Sequence, residues 1–190
     1  MTGQFDLFGI GDSIPKGLAY KTDLVDRPYE TALLDALRSL PLAPFQFHGW
    51  VGKRRTLSFG WRYDYDKEAA EKADPIPSFL HPIRERAAAF AGLSSGALEQ
   101  ASVIEYGKGA AIGWHRDKAT FGIVVGVSLL SSCSFKMRRK VGTKWERYEF
   151  IAEPRSAYVL RGPARNEWEH SIPEVEEERW SITFRERARV

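Results

Sequence analysis

Two residues near the middle of the chain, His115 and Asp117, are metal-binding residue types at a spacing that lets them act together. In an extended segment alternate side chains point the same way, so both would project to one side, about 6–7 Å apart along the backbone. A third ligand must come from elsewhere, and the other histidines of the chain are His48, His81 and His170. His170 is the best candidate, because it lies just ahead of a strongly alternating strand.

That strand, residues 179–185, alternates between an apolar and a polar face. The apolar face consists of Trp180, Ile182 and Phe184, and the polar face consists of Arg179, Ser181, Thr183 and Arg185. The strand would therefore turn its apolar side to a core and two guanidinium groups to a cavity. Because guanidinium pairs with carboxylate through planar, paired hydrogen bonds, a dicarboxylate co-substrate would account for both arginines.

Two histidines and one carboxylate leave part of a metal's coordination sphere open, an arrangement typical of non-haem Fe(II) and oxygen chemistry. Catalytic zinc sites also use two histidines and an acid. The two arginines, with the anion that they imply beside the metal, favour iron over zinc.

Each fragment also has an ordinary structural interpretation. A His-x-Asp pair is common at surfaces and turns, and alternating charge is common on a solvated strand face. The ordered set is far more specific. The histidine follows the aspartate by 53 positions, and Arg-x5-Arg begins nine residues after that histidine.

At these positions the chain resembles the AlkB family of Fe(II)- and 2-oxoglutarate-dependent dioxygenases, over roughly residues 54–185. The matching positions are His115, Asp117 and His170 for the metal ligands, Arg179 and Arg185 for the Arg-x5-Arg signature, and Tyr106 for a tyrosine that helps to hold 2-oxoglutarate. The family often has asparagine where this chain has Ile104 and Ser181. The resemblance thus covers the metal ligands fully and the co-substrate contacts in part.

The resemblance implies a mostly β fold, a double-stranded β-helix (jelly roll) core with two supporting helices. It implies Fe(II) held by the two histidines and the aspartate, with 2-oxoglutarate and O2 as co-substrates. Arg179 would pair with the far carboxylate of 2-oxoglutarate, assisted by Tyr106, while Arg185 would support the co-substrate or the geometry beside the metal. The implied reaction converts 2-oxoglutarate to succinate and carbon dioxide and hydroxylates an N-alkyl carbon, so that the alkyl group leaves as an aldehyde.

The principal functional hypothesis is oxidative dealkylation of damaged or modified nucleic acid, single-stranded or with a flipped base, since a stacked base cannot reach an enclosed pocket. An oxygenase of the same chemistry that acts on a protein side chain or a small molecule is the first alternative, because fold and co-substrate do not determine the prime substrate. A non-catalytic nucleic-acid-binding β-domain with a structural metal is the second.

Composition is that of a folded protein and excludes several other classes. The chain has 190 residues, of which 43% are hydrophobic and 28% charged, and its net charge is +3. These values predict one domain over residues 1–190 that is neither disordered nor membrane-spanning. With no secretion-type N-terminal segment and one cysteine, Cys133, which we interpret as a buried structural thiol, we expect a cytoplasmic monomer.

The spacing of apolar residues predicts the helices and strands that position these candidate residues. Helical spacing predicts a helix from Pro28 to about Ser39 and a second from Ser78 to a stop at Gly92. Residues 68–74 read as a polar connection. Alternating or apolar runs predict short strands at 102–106, 111–114, 123–130, 133–139, 144–151, 157–160 and 179–185, which fits two packed sheets. Residues 1–26 read as loop with a short strand or two.

We expect the domain to divide into an N-terminal extension and helix (residues 1–45), a substrate lid (46–75) and a catalytic jelly roll (100–187). In residues 45–65 aromatic and basic side chains interleave, as in segments that stack on bases, although an outer hairpin with its aromatics in the core fits as well. By resemblance to the AlkB lid, the substrate-binding candidates are Arg55, Trp61 and Tyr63.

Residues 136–140 form a basic cluster. It reads as a solvated hairpin tip or, alternatively, as part of a nucleic-acid track.

Overall fold

The structure is a computed structural model that describes residues 14–47, 50–64 and 67–188. Within these ranges the helices are α1 (Arg27–Arg38), α2 (His81–Phe90) and α3 (Gly162–Asn166). The strands are β1 (Leu18–Lys21), β2 (Ala43–Phe47), β3 (Trp50–Phe59), β4 (Trp61–Asp64), β5 (Ala69–Lys72), β6 (Leu98–Tyr106), β7 (Ile112–His115), β8 (Phe121–Leu129), β9 (Cys133–Val141), β10 (Lys144–Ala152), β11 (Ser156–Leu160), β12 (Glu169–Ile172) and β13 (Arg179–Arg187).

Two antiparallel sheets carry most of these strands. The large sheet has seven strands in the order β1-β11-β8-β13-β6-β3-β2, and the small sheet has four in the order β10-β9-β12-β7. β4 and β5 form a separate hairpin. Two facing antiparallel sheets with this crossing strand order are a double-stranded β-helix, so the predicted mostly β jelly roll with supporting helices is confirmed.

The core lies in two layers, one on each face of the large sheet. On one face, Trp180, Ile182 and Phe184 of β13 pack with the buried residues of α1 and α2. On the other, residues of β6, β8 and β11 pack against Phe135 and Met137 of the small sheet. The predicted division of β13 is therefore correct, and its polar face lies between the two sheets.

Local sequence accounts for both long helices. Asp26 caps α1, accepting a hydrogen bond from the Tyr29 N–H at 2.8 Å, and Pro28 stands in the first turn, where no N–H is needed. A single 3-10 turn, Ser78–Leu80, precedes α2, and Gly92 ends this region with a φ of +66°. Both helices were predicted within a few residues of these bounds.

The sequence-based prediction missed several short elements. It assigned residues 68–74 to a connection, yet β5 lies there, and it placed His170 ahead of a strand, yet His170 lies within β12. Short strands are missed because their pairing partners, not their own residues, stabilise them. Residues 1–13, His48 and Tyr65 lie outside the described part of the chain. No described helix combines the length and the apolar character needed to cross a membrane.

Candidate active site

Two adjacent strands of the small sheet bring the candidate metal ligands together. His115 ends β7, and His170 is its directly opposed partner in the antiparallel pair with β12. The two imidazole rings lie 4.2 Å apart between centroids, and the ring of Phe135 stacks on His170 at 5.3 Å. Asp117 follows β7, with its Oδ2 3.7 Å from Nε2 of His170. Although His170 follows Asp117 by 53 positions in the sequence, the fold brings the three side chains into one cluster. His81 lies elsewhere, bonded to the Ile76 carbonyl.

The three side chains are neighbours without yet forming a closed coordination set. No three His, Cys, Asp or Glu side chains in the described part of the chain surround one point closely enough to hold an ion as they stand. One orientation is already suited to a ligand: the Gly113 carbonyl accepts a hydrogen bond from Nδ1 of His115 at 2.9 Å, which leaves Nε2 with a free lone pair.

Burial and charge give all three groups the protonation state that a metal requires. Burial lowers the pKa of His115, and burial together with the neighbouring His115 lowers the pKa of His170 to about 3. Burial would raise the pKa of the Asp117 carboxyl, but Arg185 and then the two histidines hold it well below its ordinary value. The site therefore offers two neutral imidazoles and one carboxylate at neutral pH.

Arg185 positions the carboxylate. Its Nε donates to Oδ1 of Asp117 at 2.8 Å and its Nη1 donates to Oε1 of Gln100 at 2.9 Å. The same Asp117 oxygen lies 2.7 Å from Nη2 of Arg185. These contacts occupy Oδ1 of Asp117 and leave Oδ2 directed toward His170. Arg185 therefore orients Asp117.

Arg179 has the surroundings of an anion-binding residue. Its side chain is only 1% exposed, yet Nε and Nη1 have no hydrogen-bond partner, and only Nη2 donates, to Oγ of Ser128 at 3.0 Å. The guanidinium lies over the ring of Tyr106 at 4.9 Å. Because an unpaired buried guanidinium is costly, these two free donors indicate a missing acceptor such as a carboxylate.

A small cavity of about 40 Å³ lies between the sheets, and its lining does not include Arg179. Its walls include all three candidate ligands, Tyr106, Tyr158 and Arg185. The residues present therefore fit both proposed groups: the two imidazoles and the carboxylate suit Fe(II), and the unpaired donors of Arg179 suit the far carboxylate of 2-oxoglutarate.

Tyr158 is a cavity residue that the sequence-based prediction placed in a strand without a functional role. It lies in β11 opposite Gly126 of β8, and a Cβ on Gly126 would lie 2.1 Å from Cζ of Tyr158. Glycine thus makes room for this ring. Burial, and next the nearby Tyr106, raises the pKa of Tyr158, which keeps its hydroxyl protonated as a donor. The sequence alone contained no signal for this role, because the pairing of Tyr158 with Gly126 depends on the register between β8 and β11.

An open cleft of about 710 Å³ leads from the outside to His115 and Asp117. Tyr63 lies in its wall, with Nζ of Lys118 4.7 Å from its ring centroid. Of the other two substrate-binding candidates, Arg55 instead pairs with Glu105, and Trp61 packs under Arg187 at 4.0 Å. Neither lines the cleft as the structure describes it.

The cations that do line the cleft from this region are Arg54 and Arg62. Arg54 lies over the ring of Phe45 at 3.8 Å and donates to the Ala111 carbonyl at 3.2 Å. Arg54 rather than Arg55 lines the cleft because consecutive residues of β3 face opposite ways. The sequence alone contained both arginines but not the direction of either.

Cys133 is buried and not in a disulfide, as predicted. Burial raises the pKa of its thiol, which opposes any nucleophilic role.

Comparison with known proteins identifies a family and a fold for this chain. Residues 43–186 match the family described as the 2OG-Fe(II) oxygenase superfamily. The "Alkylated DNA repair protein ALKBH8 homolog" of Arabidopsis thaliana is 29% identical over 158 residues, which are 70% of this chain and 46% of that protein. The chain therefore spans about half the length of that curated relative.

Solved structures share the fold at low sequence identity. OsALKBH1 superposes with a TM-score of 0.69 at 14% identity, covering 93% of this chain and 99% of that one. A prolyl-4-hydroxylase of Pseudomonas putida superposes with a TM-score of 0.61 at 15% identity, covering 92% and 94%. The match of residues 43–186 extends over well more than half of the sequence. The chain accordingly belongs to the 2OG-Fe(II) oxygenase superfamily, with the Fe(II), 2-oxoglutarate and O2 that this family implies, and it is similar to AlkB-type proteins in sequence and fold.

Proposed function

We propose that this dioxygenase removes alkyl groups from the nitrogen atoms of bases in nucleic acid. The observation that carries the proposal is the open cleft of about 710 Å³, which ends at His115 and Asp117 and has aromatic and cationic walls. A flipped base needs such a site, since it stacks on aromatic rings while its phosphates meet cations. The name of the Arabidopsis thaliana relative, an alkylated DNA repair protein, supports the same substrate class.

Each residue of the site has a defined task in this proposal. His115, Asp117 and His170 would hold Fe(II), with Arg185 keeping Asp117 oriented. Arg179 and Tyr106 would hold the far carboxylate of 2-oxoglutarate. When bound, iron, 2-oxoglutarate and O2 supply the oxidation of an N-alkyl carbon. For a methyl group the products are the free base N–H, formaldehyde, succinate and carbon dioxide.

The cleft residues would bind and orient the base. Tyr63 and Trp114 lie far apart in the chain but line the same cleft, where Arg54, Arg62 and Lys118 also lie. We propose that, within the lid predicted for residues 46–75, the separate β4–β5 hairpin closes over the substrate while β3 stays paired with β2 and β6 in the large sheet. A closed lid would exclude water from the reacting carbon.

A turnover assay tests this proposal directly. Succinate and formaldehyde are measured with Fe(II) and 2-oxoglutarate on a panel of N-methylated single- and double-stranded oligonucleotides, with methylated peptides in parallel. Stoichiometric formaldehyde is expected from oligonucleotides and not from peptides. It should disappear in His115→Ala and Asp117→Ala and persist in His81→Ala, whose imidazole lies on α2 away from the site. Turnover stimulated only by peptides would instead assign a protein substrate.

A further inference from the structure

The outer face of the small sheet carries exposed aromatic and cationic side chains. Strand register places Arg138 of β9 opposite Arg147 of β10 and opposite Glu169 of β12. Their neighbours on the inner face, Met137, Tyr148 and His170, contribute to the core or the cavity. The outward side chains are therefore available to a partner.

Three outward side chains, those of Trp114, Arg138 and Trp145, form one stack. The guanidinium of Arg138 lies 4.3 Å from the ring centroid of Trp114 and 4.4 Å from that of Trp145. Nε of Arg138 also donates to Oε2 of Glu169 at 2.6 Å, which holds the guanidinium in place. Both tryptophans remain exposed, Trp114 by 37% and Trp145 by 39%. Large aromatic rings kept rigid and partly in water are typical of binding surfaces.

The charge on this face is only partly balanced: Glu169 pairs with Arg138 and Glu149 with Lys136, whereas Lys140 and Arg147 form no ion pair within the described part of the chain. Arg147 stands directly opposite Arg138, a like-charge pair that destabilises an antiparallel sheet. Along the same face, outward cations outnumber outward acids. The outward cations are Lys136, Arg138, Lys140 and Arg147, and the outward acids are Glu149 and Glu169. An anionic partner would relieve this repulsion.

The surface continues into the cleft. Trp114 is one end of the stack and also lines the cleft, immediately before His115. A strand whose reactive base lies in the cleft would therefore pass Trp114, and its next nucleotides would reach Trp145 and Arg147. Exposed rings interleaved with cations are what unpaired bases joined by phosphates require.

We propose that the Trp114–Arg138–Trp145 stack, with Arg147, is a docking track for the single nucleic-acid strand that flanks the base in the cleft. This inference rests on the proposed function for the direction of the strand. It goes beyond that function by assigning a second, extended contact outside the cleft. Trp145 provides a stacking face, and Arg147 provides a phosphate contact.

Binding of an unmodified oligonucleotide tests the track without turnover. Fluorescence anisotropy of a labelled 12-nucleotide single-stranded oligodeoxynucleotide is followed at several salt concentrations. Trp145→Ala should weaken binding about 5- to 100-fold, whereas Trp145→Phe, which keeps a stacking ring, should stay within about threefold of the parent. Arg147→Gln should reduce the slope of log affinity against log salt by about 0.7, and the control Lys21→Gln, on exposed β1 at the far edge of the large sheet, should leave it unchanged.

Several results would overturn the track. Equal binding by Trp145→Ala and the parent would do so, as would displacement of the oligonucleotide by polyglutamate at the same charge concentration. A dimer seen by sedimentation and lost in Trp145→Ala would assign the face to a second copy of the chain. Failure of the proposed reaction can be distinguished from failure of the track. If no oligonucleotide is turned over but binding depends on Trp145 and Arg147, the proposed reaction is wrong and the track is supported.

Discussion

At the scale of single residues, Arg179 is the clearest sign of a missing ligand. It is almost fully buried, and two of its three nitrogen atoms have no partner. Burying a charge without an acceptor is unfavourable by several kcal/mol, at about 1–3 kcal/mol or more for each unsatisfied group. Such a residue persists in a fold when a bound anion completes its hydrogen bonds.

Arg179→Gln should raise the KM for 2-oxoglutarate by about 30-fold or more, since hydrogen bonds to a charged group contribute about 1.5–3 kcal/mol each. Steady-state succinate formation at varied 2-oxoglutarate measures this effect. The matched control is Arg38→Gln, which removes an exposed arginine paired with Glu178. An unchanged KM in Arg179→Gln would place the co-substrate carboxylate elsewhere.

Gly126→Ala should both destabilise the protein and weaken 2-oxoglutarate binding, because the new Cβ would lie 2.1 Å from Cζ of Tyr158 and push that ring into the cavity. Overpacking of this kind costs about 1–3 kcal/mol. Thermal denaturation and co-substrate titration measure the two effects.

The double variant Gly126→Ala/Tyr158→Leu tests whether the clash with the Tyr158 ring causes the loss of stability in Gly126→Ala. Removing the ring removes the clash, so the double variant should be more stable than Gly126→Ala, a non-additive result. Additive losses would mean that the cost of Gly126→Ala lies in the backbone.

At the scale of elements, the β4–β5 hairpin that carries Tyr63 is anchored through one glycine. Gly60 joins β3 to β4, donates to the Asp74 carbonyl at 2.6 Å and accepts from the Ala73 N–H at 3.1 Å. Its φ is +72°, and a Cβ there would lie 2.0 Å from the Glu99 carbonyl oxygen. Close approach to β6, as well as backbone conformation, therefore requires glycine at this position.

Gly60→Ala and Gly92→Ala separate these two requirements. Gly92 has a similar φ of +66°, but a Cβ added to it would meet nothing within 4 Å. Gly92→Ala should cost about 1–2 kcal/mol of unfolding free energy for the left-handed backbone alone, and Gly60→Ala about 2–4 kcal/mol because the clash adds to it. Urea denaturation measures both, and equal losses would show that the hairpin shifts freely away from β6.

At the scale of the whole molecule, the two sheets and the supporting helices hold the site between layers. The helices cover one face of the large sheet, so the polar face of β13 is left to the cavity. The cost of the buried polar groups in that cavity is then offset by ligand binding. Stability of the entire chain should therefore depend on metal and co-substrate.

Mn²⁺ with 2-oxoglutarate, each at about 100 times its Kd and without O2, should raise the melting temperature by about 10–20 °C, from about 2.7 kcal/mol of linkage free energy for each of the two ligands and roughly 2–4 °C for each kcal/mol. Differential scanning fluorimetry measures the shift. His170→Ala should abolish it, whereas His81→Ala should preserve it. A full shift in His170→Ala would exclude that imidazole from the metal site.

Sequence by itself determined what depends on neighbours along the chain. Alternation assigned the two faces of β13, helical spacing with Pro28 located α1, and the order of His115, Asp117, His170 and the two arginines indicated the chemistry. These signals are local because side-chain direction follows from backbone period and because a metal or anion needs particular side-chain chemistry.

Only the tertiary structure decided how distant strands meet. Register between β7 and β12 sets His115 opposite His170, and register between β8 and β11 brings Tyr158 onto Gly126 in the cavity. The tertiary structure also directs Arg54 rather than Arg55 to the cleft and brings Trp114, Arg138 and Trp145 together from three strands. A shift of one residue in register reverses every side chain of a strand, so these meetings depend on pairings between remote segments that no local pattern contains.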